Sequence, residues 1–261
     1  MTNIKVFNAI SILCFSFLLA NCGISEKPES TTTEPIVLVK EDSTHQNTSK
    51  PSSNVSVSKH VFEQGHKEAG LELISPKHMQ RVEVGDLHYK FNTEKFPFVN
   101  GHSVRLAIEG GVERHIYDSD KKVSIGNKGS YLSVAFLCDK HGISLKGDNT
   151  YQLTQLNVGV DEKREINFDQ PMIFLNLPHA KEGKFVLIDF FVKNVKIQKG
   201  GDRVLVSIDD DTEFYLHEWA PYQIKGLKTG KHHILVELVN AAGVPYEGPY
   251  THDERDLEIQ Y

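Results

Sequence analysis

Gly226-Leu-Lys-Thr-Gly230-Lys-His232-His233-Ile234-Leu235-Val236-Glu237-Leu238-Val239-Asn240-Ala-Ala-Gly243 holds a long apolar run bracketed by glycines. A glycine turn leads in, and Asn240 to Gly243 lead out into a reversal. Ile234, Val236 and Leu238 form one apolar face, and His233, Leu235 and Glu237 alternate with them on a mixed face. This period of two predicts a central strand of a β-sandwich, at least half buried.

The stretch has an echo. Gly129 and Gly142 bracket Tyr131-Leu-Ser-Val134-Ala-Phe136-Leu-Cys138 at the same separation as Gly230 and Gly243, offset by 101 positions. Leu87, Tyr89 and Phe91 match Ile188, Phe190 and Val192 at that offset. Val104 to Ile108 match Val204 to Ile208 one position short of it, and Asn100-Gly101 fall on Gly200-Gly201. Matches in one order along the chain imply a duplicated module. The copies disagree in one place. Alignment sets Ser133, Ala135 and Leu137 opposite Ile234, Val236 and Leu238, yet the bulky residues of the first copy are Leu132, Val134 and Phe136. Either the register slips by one, which flips every side chain, or this strand is buried on both faces.

Each copy carries about seven short apolar stretches with turn signals between them, and no long amphipathic helix pattern. The fold class predicted is all-β: two tandem Ig-like or fibronectin-III-like sandwiches. The expected layout is a signal peptide over 1–21, a disordered tether over 22–68, module one over 69–158 and module two over 169–261. Asp161-Glu-Lys-Arg-Glu165 reads as a charged hinge. The chain has 261 residues, 39% hydrophobic and 25% charged, with a formal charge of −6, so no nucleic-acid partner is expected.

At the N-terminus, Lys5 precedes a mostly apolar run from Val6 to Ala20, shorter than the ~20 residues of a membrane-spanning helix. The run ends in Leu18-Leu19-Ala20-Asn21-Cys22-Gly23, which resembles the bacterial lipoprotein processing box. The resemblance implies lipidation of Cys22 and anchoring to membrane lipid at the cell envelope, for which more than one acyl chain suffices. Residues 23–68 are rich in Ser, Thr and Pro and hold few large apolar residues, the composition of a solvated tether. Asp42-Ser43-Thr44 resembles an O-glycosylation sequon of some Gram-negative envelope proteins.

Few residues promise chemistry. With Cys14 in the signal and Cys22 at the lipid site, Cys138 stands alone at the end of an apolar strand, where a buried, inert thiol is expected. His232 and His233 are adjacent on a strand and face opposite ways, so they do not share an ion. Asp209-Asp-Asp211 suits a turn and lacks the spacing of a calcium loop. No Gly-x-Ser-x-Gly, His-Glu-x-x-His or phosphate-cradling loop is present. No catalytic residue, cofactor or metal is predicted.

The most distinctive local feature is Trp219-Ala-Pro221-Tyr222-Gln-Ile224-Lys-Gly226-Leu227, with the sole tryptophan; Ser119-Asp-Lys-Lys122 occupies that place in the first copy. With Val186-Leu-Ile-Asp-Phe190 before it and Gly243 to Pro249 and Arg255 after it, the stretch resembles a family of Gram-negative envelope lipoproteins with tandem Ig-like modules. Some members are labelled phosphopeptide-binding. Trp219 and Tyr222 are the candidate ligand-binding residues, with Tyr215 and Tyr250 nearby, as an aromatic platform for a sugar or peptide. Packing between sheets is the competing reading. The function expected is a non-enzymatic envelope lipoprotein for recognition or scaffolding, at the outer membrane, with an envelope protein, peptide or glycan as partner. A carbohydrate- or peptide-binding accessory of an outer-membrane uptake system is the alternative, and a hydrolase on a sandwich scaffold is a third.

Overall fold

The computed structural model describes residues 54–61, 65–109, 112–161, 164–177 and 185–260. The signal peptide, Cys22 and the tether up to residue 53 lie outside the described residues. Those described form sixteen strands and no helix.

The first sandwich faces a three-stranded sheet against a five-stranded one. The smaller sheet is β2 (Gly70–Ser75), β4 (Gly85–Glu94) and β7 (Asp120–Ile125), in that order. The larger runs β3 (Gln80–Val82), β9 (Tyr151–Val158), β8 (Gly129–Cys138), β5 (Ser103–Ile108) and β6 (Val112–Ile116). Tyr89, Phe91, Leu106, Ile116, Ala135, Leu137 and Leu156 meet between the sheets and are buried.

The second sandwich repeats this plan. One sheet holds β10 (Met172–Asn176), β11 (Phe185–Lys193) and β14 (Tyr222–Lys225). The other holds β13 (Thr212–Leu216), β12 (Arg203–Ile208), β15 (Gly230–Val239) and β16 (His252–Ile259). Ile188, Phe190, Val204, Val206, Ile234, Val236 and Leu238 form its core. Three strands facing four, with antiparallel pairing inside both sheets, is the tandem Ig-like and fibronectin-III-like sandwich expected.

Three expectations need correction. The tether does not extend to residue 68: β1 (Ser56–Lys59) pairs antiparallel with β14 and so adds a fourth strand to the β10, β11 and β14 sheet of the second sandwich. Val55 and Val57 pack on that sandwich's core, which explains why a Ser-rich stretch is ordered. The first sandwich also has a strand that composition did not reveal, β3, paired parallel with β9. The hinge is the third: its Arg164 is tied into the seam between the sandwiches.

The question of register has a clear answer. Ile108 pairs with Ser133 and Val104 with Leu137; Ile208 pairs with Ile234 and Val204 with Leu238. The copies are in the same register, and every residue of β8 from Leu132 to Cys138 is buried. The strand is covered on both faces because its second face meets the other sandwich.

Candidate functional site at the seam

The outer face of the five-stranded sheet packs on the outer face of β10 and β11. Leu132, Val134, Phe136 and Cys138 meet Met172 and Tyr250 in a third apolar cluster, and Ile166 closes it from the connecting segment. Tyr151, Leu153, Phe168 and Phe174 line its margin. Phe191 is its aromatic centre, 4.3 Å from Tyr151 and 6.2 Å from Phe136 between ring centroids. β11 therefore alternates between two cores, Phe190 entering one and Phe191 the other.

Arg164 of the connecting segment is part of this seam, which corrects the reading of that residue as part of a hinge; Glu162 and Lys163 lie outside the described residues. Arg164 forms a two-pronged pair with Glu109, at 3.0 and 2.5 Å, and donates to the Tyr250 hydroxyl at 2.7 Å. The Gln155 side chain donates to the Arg164 carbonyl at 2.5 Å and accepts from the Ile166 amide at 3.1 Å. One residue of the charged run thus joins both sandwiches.

A buried ion pair crosses the seam at its other end. Lys146 follows β8 in the first sandwich, and its ammonium contacts Asp189 of β11, which has no exposed surface. The same ammonium donates to Ser144 Oγ at 2.7 Å and to the Phe190 carbonyl at 2.9 Å. Asp189 also accepts from the Ser144 amide at 2.7 Å and from Asn176 Nδ2 at 2.9 Å. Burial pulls the Lys146 pKa down, and the Asp189 charge opposes it. Removing either partner would break a charge pair held away from water.

Beside the Glu109–Tyr250 tie lies an open cleft of about 570 Å³. Leu132, Val134, Ile173 and Phe174 line its apolar part, and Glu109, Glu113, Asp253 and Arg255 its polar part. Arg255 pairs with Glu113 across the seam at 2.6 Å and with Asp253 on its own strand. Glu113 in turn pairs with Arg105 at 2.5 Å. Burial raises the Asp253 pKa despite Arg255, and the carboxylate accepts the Leu175 amide at 2.8 Å. Burial pushes the Tyr250 hydroxyl up to about 12, aided by the Glu109 charge. Burial works against ionisation of Glu109, but Arg164 and the Leu132 amide hold its carboxyl below the usual range. The result is a mixed apolar and hydrogen-bonding surface shared by both sandwiches.

The predicted aromatic platform takes a different form. Tyr222 lies on β14 with its ring 6.4 Å from Phe190, nearly parallel, and is 7% exposed. It is a core residue of the second sandwich. Trp219 is half-buried at the seam's edge. Its indole N–H donates to the Phe190 carbonyl at 2.8 Å, its ring meets Phe191 edge-on, and the Lys146 ammonium sits 5.5 Å from it. Tyr250 is buried beside the cleft, and Tyr215 is exposed on β13 under Arg203. Among the described residues, the ring contacts of these four run to other residues. Of the polar residues that line the cleft, Tyr250 and Arg255 were named from sequence, and Glu109, Glu113 and Asp253 were not. No local spacing links groups so far apart along the chain.

Cys138 is buried, and burial pushes its thiol well above the ordinary range. His232 and His233 do point apart: His232 pairs with Asp209 at 2.7 Å and His233 with Asp256 at 2.8 Å. Among the described residues no three His, Cys, Asp or Glu side chains are grouped to hold a metal ion.

No family model matches the chain, and no curated protein matches its sequence. It is similar to the fibronectin(III)-like modules of Clostridium thermocellum CbhA at 16% identity, covering 73% of this chain and 94% of that one, with a TM-score of 0.27. A Parabacteroides merdae β-glucuronidase matches at 10% identity and TM-score 0.23, and this chain spans 24% of its length. The Bacteroides ovatus protein SGBP-B, solved with a mixed-linkage heptasaccharide, matches at 13% identity and TM-score 0.22, over 68% of this chain and 45% of that one. The fold assignment rests on the strand order described above.

Proposed function

We infer that this chain is a non-enzymatic, lipid-anchored protein of the bacterial cell envelope that works as a rigid recognition or scaffolding unit. The observation that carries this reading is the seam. A third apolar cluster, a buried ion pair and the Glu109–Arg164–Tyr250 tie hold two sandwiches in one arrangement. A fixed pair displays the surfaces of both modules at a constant spacing, which flexibly linked modules do not. Cys22 supplies the anchor, and the Ser/Thr-rich residues after it supply reach from the lipid. Cys22→Ala tests the anchor: the protein should move from the membrane fraction to the soluble one. Retention in the membrane would reject this reading.

The seam cleft favours a second reading, an accessory protein that binds a carbohydrate or peptide. An apolar floor rimmed by paired guanidinium and carboxylate groups suits a ligand with both apolar and hydroxyl or amide surface. Arg255→Ala should abolish binding of such a ligand without unfolding the chain. Undiminished binding by Arg255→Ala would place the ligand elsewhere.

A further inference from the structure

The exposed strand edges of the two sandwiches are protected in different ways. In the first, β7 closes the three-stranded sheet with Asp120-Lys-Lys122 at the start of its edge. Charge on an edge strand discourages pairing with another chain. The equivalent β14 reads Tyr-Gln-Ile-Lys and carries no such run. It is covered instead by β1, drawn from the segment that precedes the first sandwich.

The seat for β1 is built in detail. Val57 pairs with Ile224 and Ser58 with Gln223, whose side-chain amide donates to the Ser58 hydroxyl at 3.0 Å. The His60 amide donates to the Pro221 carbonyl at 2.9 Å, and Lys59 pairs with Glu218. Gly226 holds φ +85°, and a Cβ there would lie 2.1 Å from the Asn54 carbonyl oxygen. The glycine thus admits the incoming backbone. The occupant itself is slight: four residues, three of them exposed. Ten residues separate Lys59 from Gly70, a reach of about 35 Å when extended.

We propose that the β14 edge is a strand-binding site that is filled in cis by Val55–Lys59 and is open in trans to the same segment of a second copy. The two bound states make identical contacts, so exchange has little intrinsic cost, and local concentration sets which one prevails. Strand exchange would link neighbouring copies without altering either core.

The test uses full-length chains with Cys14→Ser and Cys22→Ser. One variant adds Ser58→Cys and another adds Gln223→Cys. Mixed at high concentration and oxidised, they should form a disulfide-linked dimer on a non-reducing gel. Both changes in one dilute chain should give an intramolecular link. Gly226→Ala in the Gln223→Cys copy should reduce the dimer to background, as should Val57→Asp in the Ser58→Cys copy. Melting curves of the last two variants establish that they are folded. The proposal is overturned by failure of the intramolecular link, by mixed chains that stay monomeric, or by dimers indifferent to Val57→Asp.

Discussion

The two sandwiches share a plan and bury opposite outer faces. In the first, the outer face of β8 is buried by Leu132, Val134 and Phe136, while the outer face of β4 carries exposed His88, Lys90 and Asn92. In the second, β11 buries Asp189 and Phe191 on its outer face, while β15 turns His233, Leu235 and Glu237 outward, none fully buried. The seam is therefore heterologous: each copy uses a surface that the other leaves to solvent. Both free faces carry polar residues. Duplication fixes the inward-facing residues of both copies. Divergence has acted on the outward ones, and Trp219 belongs to that set.

The strongest way to break this comparison is to treat matched positions alike. Asp189 and His88 occupy equivalent places on β11 and β4, one residue after Ile188 and Leu87. Asp189→Ala removes the buried carboxylate that the Lys146 ammonium contacts in the seam and should cost ~3–5 kcal/mol in urea denaturation. His88→Ala removes an exposed pair with Asp120 and should stay within ~0.5 kcal/mol. Equal costs would mean that the seam does not distinguish the copies.

Trp219 and Asp118 form the next matched pair. Trp219→Ala removes the ring against Phe191 and the hydrogen bond to the Phe190 carbonyl. A half-buried ring should cost about 2–3 kcal/mol, less than the ~3–5 of a fully buried one. Asp118→Ala, on the exposed counterpart, should again be near neutral. A Trp219→Ala chain that keeps its melting temperature but loses ligand would favour the binding reading of this residue over packing.

Arg164→Ala probes the connecting segment. It removes charge-assisted bonds to Glu109 and a bond to Tyr250, so a loss of about 1–3 kcal/mol is expected. The Ile166 amide should exchange faster with solvent, and proteases should gain a cut near residue 164. Unchanged exchange at Ile166 would show that Gln155 alone holds the segment.

What sequence made legible was the period of two and the duplication. Ile234, Val236 and Leu238 face a core as their alternation required, and the mismatch at Leu132, Val134 and Phe136 left a register slip and a strand buried on both faces as alternatives, of which the second holds. What covered the second face was not legible, because the seam joins residues with no local signature. Glu109, Arg164 and Tyr250 lie 55 and 86 positions apart in succession. Arg164 looked solvated because its neighbours are charged. Val55-Ser-Val-Ser58 alternates as a strand should, but four residues of serine and valine carry no weight until β14 is seen to need a partner.

His233 offers the finest test, since its counterpart at offset 101 is Leu132. The same strand position holds a titrating group on a free face and a buried leucine in the seam. The His233 imidazole lies 2.8 Å from Asp256 and 3.5 Å from Glu254, and the hydrogen bond to Asp256 raises its pKa above the ordinary 6.5. A group whose folded pKa is raised binds its proton more tightly in the folded state. Its contribution is full below the unfolded pKa and fades as pH rises through the folded one. The chain should therefore lose some stability as pH climbs above about 6.5. His232 adds to the same trend: burial opposes its charge, but Asp209 and the Lys228 carbonyl outweigh that and raise its pKa too. His233→Leu, which installs the first copy's residue, should flatten the melting-temperature profile between pH 6 and 8.5 without abolishing its slope. The partners are exposed, so screening keeps the effect well below about 1 kcal/mol, and it should shrink further in high salt. A profile that His233→Leu leaves unchanged would assign the slope to His232 alone. The outward face of β15 would then contribute nothing to the fold beyond covering it.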